Sequence, residues 1–117
     1  MPRQTIERYF TNLGANKGWE ESLADDMTFT SFAVPNRHVE GKEPYLQATR
    51  RFFGMIHSVE VRQLLVDGNR VVALTRYLLQ PPNGAAAFSS DVAEVFVVRS
   101  GRIASLDIYF DTAPYPR

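Results

Sequence analysis

The stretch "DVAEVFVV", Asp91 to Val98, places one carboxylate inside an apolar run. From Val92 to Val98 only Glu94 is polar. A carboxylate in such surroundings must be hydrogen-bonded or ion-paired, or it stays neutral through a raised pKa. Ionised, Glu94 can serve as a base; neutral, it can donate a proton. Two partners present themselves. Arg76 is the only charged residue inside "VVALTRYLLQ", and Tyr9 lies on the apolar side of "TIERYFTNLGAN". Glu94, Tyr9 and Arg76 therefore form the candidate catalytic set. Two readings of Glu94 stand side by side: an acid–base group in a pocket, and a structural ion pair with Arg76. Ser31 could hydrogen-bond a ligand, and His38 falls in a loop where a pocket mouth could open. The aromatic residues Trp19, Tyr45, Phe52 and Phe53 read as core, and some of them could also wall a pocket; Trp19 and Phe53 are the candidates for that role.

Other chemistry is sparse. The chain has no cysteine, which removes disulfides, thiolate nucleophiles and cysteine-based zinc sites. Its two histidines, His38 and His57, are far apart in sequence, and no metal or cofactor is expected. His57 falls at a helix end, where it would meet terminal carbonyls. Thirteen Lys and Arg balance 13 Asp and Glu, which argues against a nucleic-acid surface. No apolar run approaches the length of about 18 residues needed to cross a bilayer, and "MPRQTIERYF" lacks the apolar stretch of a signal peptide. The expectation is a soluble, cytoplasmic protein.

The elements that must position these residues can be read from periodicity. Ile6, Tyr9, Phe10 and Leu13 form the stripe of an amphipathic helix, with Thr5 as its cap and Gly14 or Asn16 as its end. "GWEESLADD" reads as a short second helix with Asp25 and Asp26 in the turn that follows. "MTFTSF" alternates as a strand, and a loop with Pro35 and Asn36 comes next. "EPYLQATRRFFGMI" is a third helix, with Pro44 in its tolerant first turn. Four strands complete the chain: 59–66, 71–80, 88–98 and 103–110, the first three joined by Asp67-Gly68-Asn69 and Pro81-Pro82-Asn83-Gly84. The tail "DTAPYPR" cannot continue a ladder through its prolines. The 117 residues suit one domain, 1–117, in the α+β class with three helices on one face of a curved, mostly antiparallel sheet.

The last hairpin decides where Glu94 points. A two-residue loop, Ser100-Gly101, would set Glu94 directly opposite Asp107, and like charges repel there. A three-residue loop, Arg99-Ser100-Gly101, pairs Val98 with Arg102 and Glu94 with Leu106. The longer loop is the better reading, and it turns Glu94 toward the helices. Apolar residues also fill the other face of these strands, as Ala93, Val95 and Val97 do. That face is expected to be covered by a second copy, as a homodimer.

The ordered set "IERYF", "LADDMTF", "GKEPYL", "VDGNRVVALTRY", "VAEVFVVRSGRI" and "IYFD" resembles the nuclear transport factor 2-like superfamily in its SnoaL-like branch. The likeness covers nearly the whole chain. It implies a conical α+β barrel, cystatin-like in its sheet, with a pocket at the wide end and dimerisation through the outer sheet face. It also implies a candidate function class: a cofactor-free isomerase, cyclase, dehydratase or hydrolase for a hydrophobic, oxygen-bearing substrate. The alternative in the same superfamily is a non-catalytic ligand-binding or dimerisation module. By resemblance to ketosteroid isomerase, Tyr9 falls on the oxyanion-hole tyrosine and Glu94 on the acid kept protonated. The base position is Ser31, which cannot abstract a carbon-bound proton unaided. By resemblance to limonene epoxide hydrolase and the polyketide cyclases, the acid of the last strand is replaced by Ile108. The Arg-x-Asp positions of the former become Leu74 and Arg76.

Overall fold

In the computed structural model, which describes residues 1–33 and 36–115, two helices lie in the hollow of a curved six-stranded sheet. Helix α1 spans Pro2–Gly14, and a single 3₁₀ turn covers Trp19–Ser22. Strand β1 is Leu23–Ser31, β2 is Arg37–Glu40 and α2 is Lys42–Met55. Strands β3 to β6 are Ile56–Asp67, Arg70–Leu79, Phe88–Arg99 and Arg102–Phe110. The sheet order is β2-β1-β6-β5-β4-β3. All neighbours run antiparallel except β1 and β6, which are parallel.

The expected α+β class and curved sheet hold; the helix count does not. "GWEESLADD" supplies only four helical residues, because Leu23 to Asp26 already belong to β1. The apolar periodicity there is too short to nucleate a helix unaided. Thr5 does not cap α1: Pro2 opens the helix, and the Thr5 hydroxyl bonds back to the Met1 carbonyl at 3.2 Å. His57 sits in β3 and not at a helix end. Pro35 of the expected loop and the last two residues of the tail lie outside the described residues.

The core lies between the helices and the concave sheet face. Ile6, Tyr9, Phe10 and Leu13 of α1 meet Met27, Phe96, Ile103 and Leu106 of the sheet. Burial of these side chains is the main term holding helix to sheet, at about 25 cal/mol per Å² of apolar surface.

The β5–β6 hairpin corrects the expected register. Arg99 pairs with Arg102 across a two-residue turn, Ser100-Gly101. Both turn residues have positive φ, 54° and 75°, as a type I′ turn demands. The extra residue sits inside β6 instead. Val98 pairs with Ile103 but Val97 with Ser105, so Ala104 is the additional residue of a bulge. One extra residue, in turn or strand, has the same effect on parity. Glu94 therefore does face the helices, opposite Ile108 and not Leu106, while Asp107 pairs with Val95 on the outer face.

Candidate functional site

Alternation along β4 fixes the surroundings of Glu94. Ala73, Thr75 and Tyr77 are buried on the concave face, whereas Leu74 and Arg76 point away from it. Arg76 is therefore not the counter-ion of Glu94. It pairs with its direct cross-strand neighbour Asp91, Nε to Oδ1 at 2.8 Å and Nη2 to Oδ2 at 3.1 Å, on the outer surface.

Two hydroxyls take the place expected for the guanidinium. Thr75 Oγ1 donates to Glu94 Oε2 at 2.8 Å, and Tyr77 Oη donates to the same oxygen at 2.8 Å. Thr75 also lies 3.2 Å from the Val92 carbonyl. A hydroxyl has one proton, so the shorter contact to the carboxylate takes it whenever Glu94 is ionised. Glu94 Oε1 receives no hydrogen bond from any described residue, and no described side-chain oxygen is both fully enclosed and unpartnered. Oε1 is therefore the oxygen that opens into the space beside it.

That space is a cavity of about 410 Å³ between α2 and the concave sheet. Glu94, only 3% exposed, lies in its depth together with Tyr9, Tyr45 and Tyr77. Phe29, Phe52, Phe53, Val92, Leu106 and Ile108 supply apolar walls. Arg37, Thr49 and Thr112 reach it nearer the surface, and Ser31, itself buried, lines it from β1.

Burial pushes the Glu94 carboxyl up from 4.5 to about 7, while the bonds from Thr75 and Tyr77 pull the other way. Desolvation dominates because no cation is close enough to compensate it. With two donors already on Oε2, the titrating proton belongs on Oε1, facing the cavity. Burial and the nearby Glu94 charge also raise the phenols of Tyr45 and Tyr77, and burial and Tyr45 raise Tyr9. All three keep their protons and can only donate or accept hydrogen bonds.

The structure thus brings together Glu94, Tyr9, Ser31, Phe53 and Ile108 around one cavity. It leaves three sequence candidates outside. Arg76 is on the outer face. His38 is in β2, paired with Thr30, where its ring bonds Thr30 Oγ1 at 2.8 Å and Glu40 Oε2 at 3.3 Å in the open. Trp19 stacks behind Phe53, ring centres 4.3 Å apart, and does not itself line the cavity. Sequence reasoning missed Thr75 and Tyr77. The signal was present: residues flanking an outward Arg76 on a strand must point inward. Among the described residues no three His, Asp or Glu side chains converge in a metal-holding cluster.

A curved six-stranded sheet packed against two helices over one deep carboxyl defines an α+β domain with a cavity between its layers. The family model for the SnoaL-like domain matches residues 6–106, and the chain belongs to that family. Solved structures agree in fold. A nuclear transport factor 2-like protein from Cytophaga hutchinsonii is 22% identical, with TM-score 0.76 and coverage of 97% of this chain and 93% of its own. A protein from Jannaschia sp. CCS1, provisionally named a SnoaL-like polyketide cyclase, is 23% identical, with TM-score 0.76 and coverage of 99% and 93%. A protein of ketosteroid isomerase-like fold from Catenulispora acidiphila, in complex with trimethylamine, is 16% identical, with TM-score 0.78 and coverage of 97% and 90%. No curated protein matches the chain. Identities this low carry the fold and not an activity. Among the described residues no helix is long and apolar enough to cross a membrane.

Proposed function

We propose that the cavity binds a hydrophobic molecule carrying a carbonyl or hydroxyl oxygen, and that Glu94 exchanges a proton with it. The observation that carries this reading is the half-satisfied carboxyl. Oε2 is fixed by Thr75 and Tyr77, while Oε1 faces a largely apolar cavity. A structural carboxyl would have both oxygens engaged. Near neutral pH both charge states of Glu94 are populated, which is the condition for efficient general acid–base catalysis.

Glu94 is the only carboxylate lining the cavity among the described residues. Ser31 and Ile108, the positions where the family resemblance would seek a second acid–base group, carry none. One group must therefore both take and return the proton. That favours isomerisation or cyclisation through an enol over hydrolysis, which needs a separately activated water. Tyr9 would donate a hydrogen bond to the substrate oxygen and stabilise the enolate while ionised Glu94 takes the carbon-bound proton and returns it, the phenol being too weak an acid to ionise.

The test is a panel of hydrophobic ketones and phenols screened by thermal shift, since a ligand of the folded state raises the melting temperature. A hit is then assayed for carbonyl-adjacent proton exchange by NMR in heavy water. Exchange in the wild type that vanishes in Glu94→Gln supports the enzyme reading. Binding without exchange in either protein would point instead to a non-catalytic ligand-binding module.

We also propose that a second copy covers the outer sheet face. Leu65, Leu74, Tyr109 and Phe32 are exposed there, the last two stacked with ring centres 4.8 Å apart. Sedimentation of wild type and Leu74→Asp checks this: the wild type should be a dimer and the variant a monomer. A wild-type monomer at micromolar concentration would refute it.

A further inference from the structure

The same rung of the sheet that carries Glu94 carries a cation at its other end. Glu94 pairs with Ile108, Ile108 with Ser31, and Ser31 with Arg37, across β5, β6, β1 and β2. Residues on one rung share a face, and all four line the cavity. Three strand intervals of about 4.8 Å place Arg37 and Glu94 roughly 14 Å apart along the curved sheet. Ser31 lies between them, with a hydroxyl on an otherwise apolar path.

Arg37 is the only cationic side chain lining the cavity among the described residues, and unlike three surface arginines it has no carboxylate partner. Arg3 pairs with Glu7, Arg62 with Glu60 and Arg76 with Asp91. Among the described residues the Arg37 guanidinium contacts no carboxylate, only the Ala48 carbonyl at a long 3.4 Å. That contact ties it to α2, across the cavity entrance, and leaves most of its five donors free. Nor does Arg37 govern Glu94, whose proton affinity is set by burial, Thr75 and Tyr77.

We propose that Arg37 makes the site selective for an amphipathic acid. The ligand's carboxylate is held at the mouth by the guanidinium, and its carbonyl lies at Glu94 and Tyr9 in the depth. An apolar chain between them runs past Ile108, Phe29 and Phe53. A guanidinium is suited to this because its planar fork matches a carboxylate in a bidentate pair. The assignment of substrate class rests on the proposed function above.

The test uses a medium-chain ω-oxo fatty acid and its methyl ester, which differ only in the charge at the mouth. Affinities are measured by calorimetry for wild type, Arg37→Gln, Arg37→Lys and Glu94→Gln. The acid should bind the wild type at least about tenfold more tightly than the ester, the scale of one charge-assisted pair in a half-open setting. Arg37→Gln should erase that preference, Arg37→Lys should keep part of it, and Glu94→Gln should leave it intact. Added salt should shrink it. Equal binding of acid and ester to the wild type, or a preference that survives Arg37→Gln, overturns the assignment while leaving the cavity a ligand site. Failure of both probes to bind the wild type counts against the proposed function itself.

Discussion

Replacing Glu94 by Gln should make the protein more stable above neutral pH and leave it unchanged in acid. Glutamine keeps the shape, and its amide oxygen can accept from Thr75 and Tyr77 as Oε2 does. Burial raises the folded-state pKa of Glu94 from 4.5 to about 7. Below 4.5 both folded and unfolded chains hold the proton, and nothing is lost. As pH rises from there the unfolded chain releases it while the folded chain keeps it, so stability falls until about pH 7 and is then level. At about 1.4 kcal/mol per pH unit the total loss is about 3 kcal/mol. The variant has no such proton. Urea unfolding of both proteins from about pH 4 to about pH 8.5 gives the difference directly, because every other titrating group cancels. The gap should open between pH 4.5 and 7 and close on the acid side. Parallel curves over the whole range would refute the reasoning, since a carboxyl satisfied in its ionised form carries no such penalty.

Three further outcomes follow from the same geometry. Tyr77→Phe removes a donor that favours the charged carboxylate, so the Glu94 midpoint should move above about 7, with a stability loss of about 1 kcal/mol that grows as Glu94 ionises; pH-dependent unfolding reads both. Arg76→Ala should leave the Glu94 midpoint unmoved, because the guanidinium faces Asp91 on the other side of the sheet; a shift in the titration would restore the ion pair that the register denies. Deleting Ala104 removes the one unpaired residue and leaves Val98 with Ile103, Val97 with Ser105 and Glu94 with Ile108, so the hairpin becomes regular and Glu94 keeps its face. Cooperative unfolding monitored by circular dichroism and the raised Glu94 midpoint should both survive, and loss of either would show that the bulge itself is needed.

Much of the fold was legible because it is written in periodicity. The α1 stripe, the tolerant Pro44 and the alternation of β4 to β6 all report which side is covered. The face of Glu94 follows from parity alone, wherever the extra residue of the hairpin sits. The extra residue was placed in the turn, where Gly101 invites it, but it lies at Ala104. A turn and a bulge shift parity alike, and an alanine in a strand carries no mark of being the unpaired residue. Charge complementarity points from Glu94 to Arg76, but alternation along β4 overrules it. Arg76 is the only cation in its strand, yet on a β-strand its neighbours Thr75 and Tyr77 necessarily take the opposite face. Strand β2 and the start of β1 escaped notice for another reason. Arg37–Glu40 is a four-residue edge strand with mostly exposed side chains, and Asp25 and Asp26 are exposed in β1, so neither segment has an apolar period to detect. Arg37 was invisible as a site residue because its position depends on that edge strand.

The chemistry of the cavity turns on Glu94 carrying a proton near neutral pH on the oxygen that faces it. Carbon-13 NMR of protein labelled at the glutamate carboxyl carbon tests it most directly, with the Glu94 signal assigned by its absence in Glu94→Gln. The midpoint should lie at about 7 and move when a ketone fills the cavity. A midpoint at 4.5, indifferent to any ligand that binds, would contradict it.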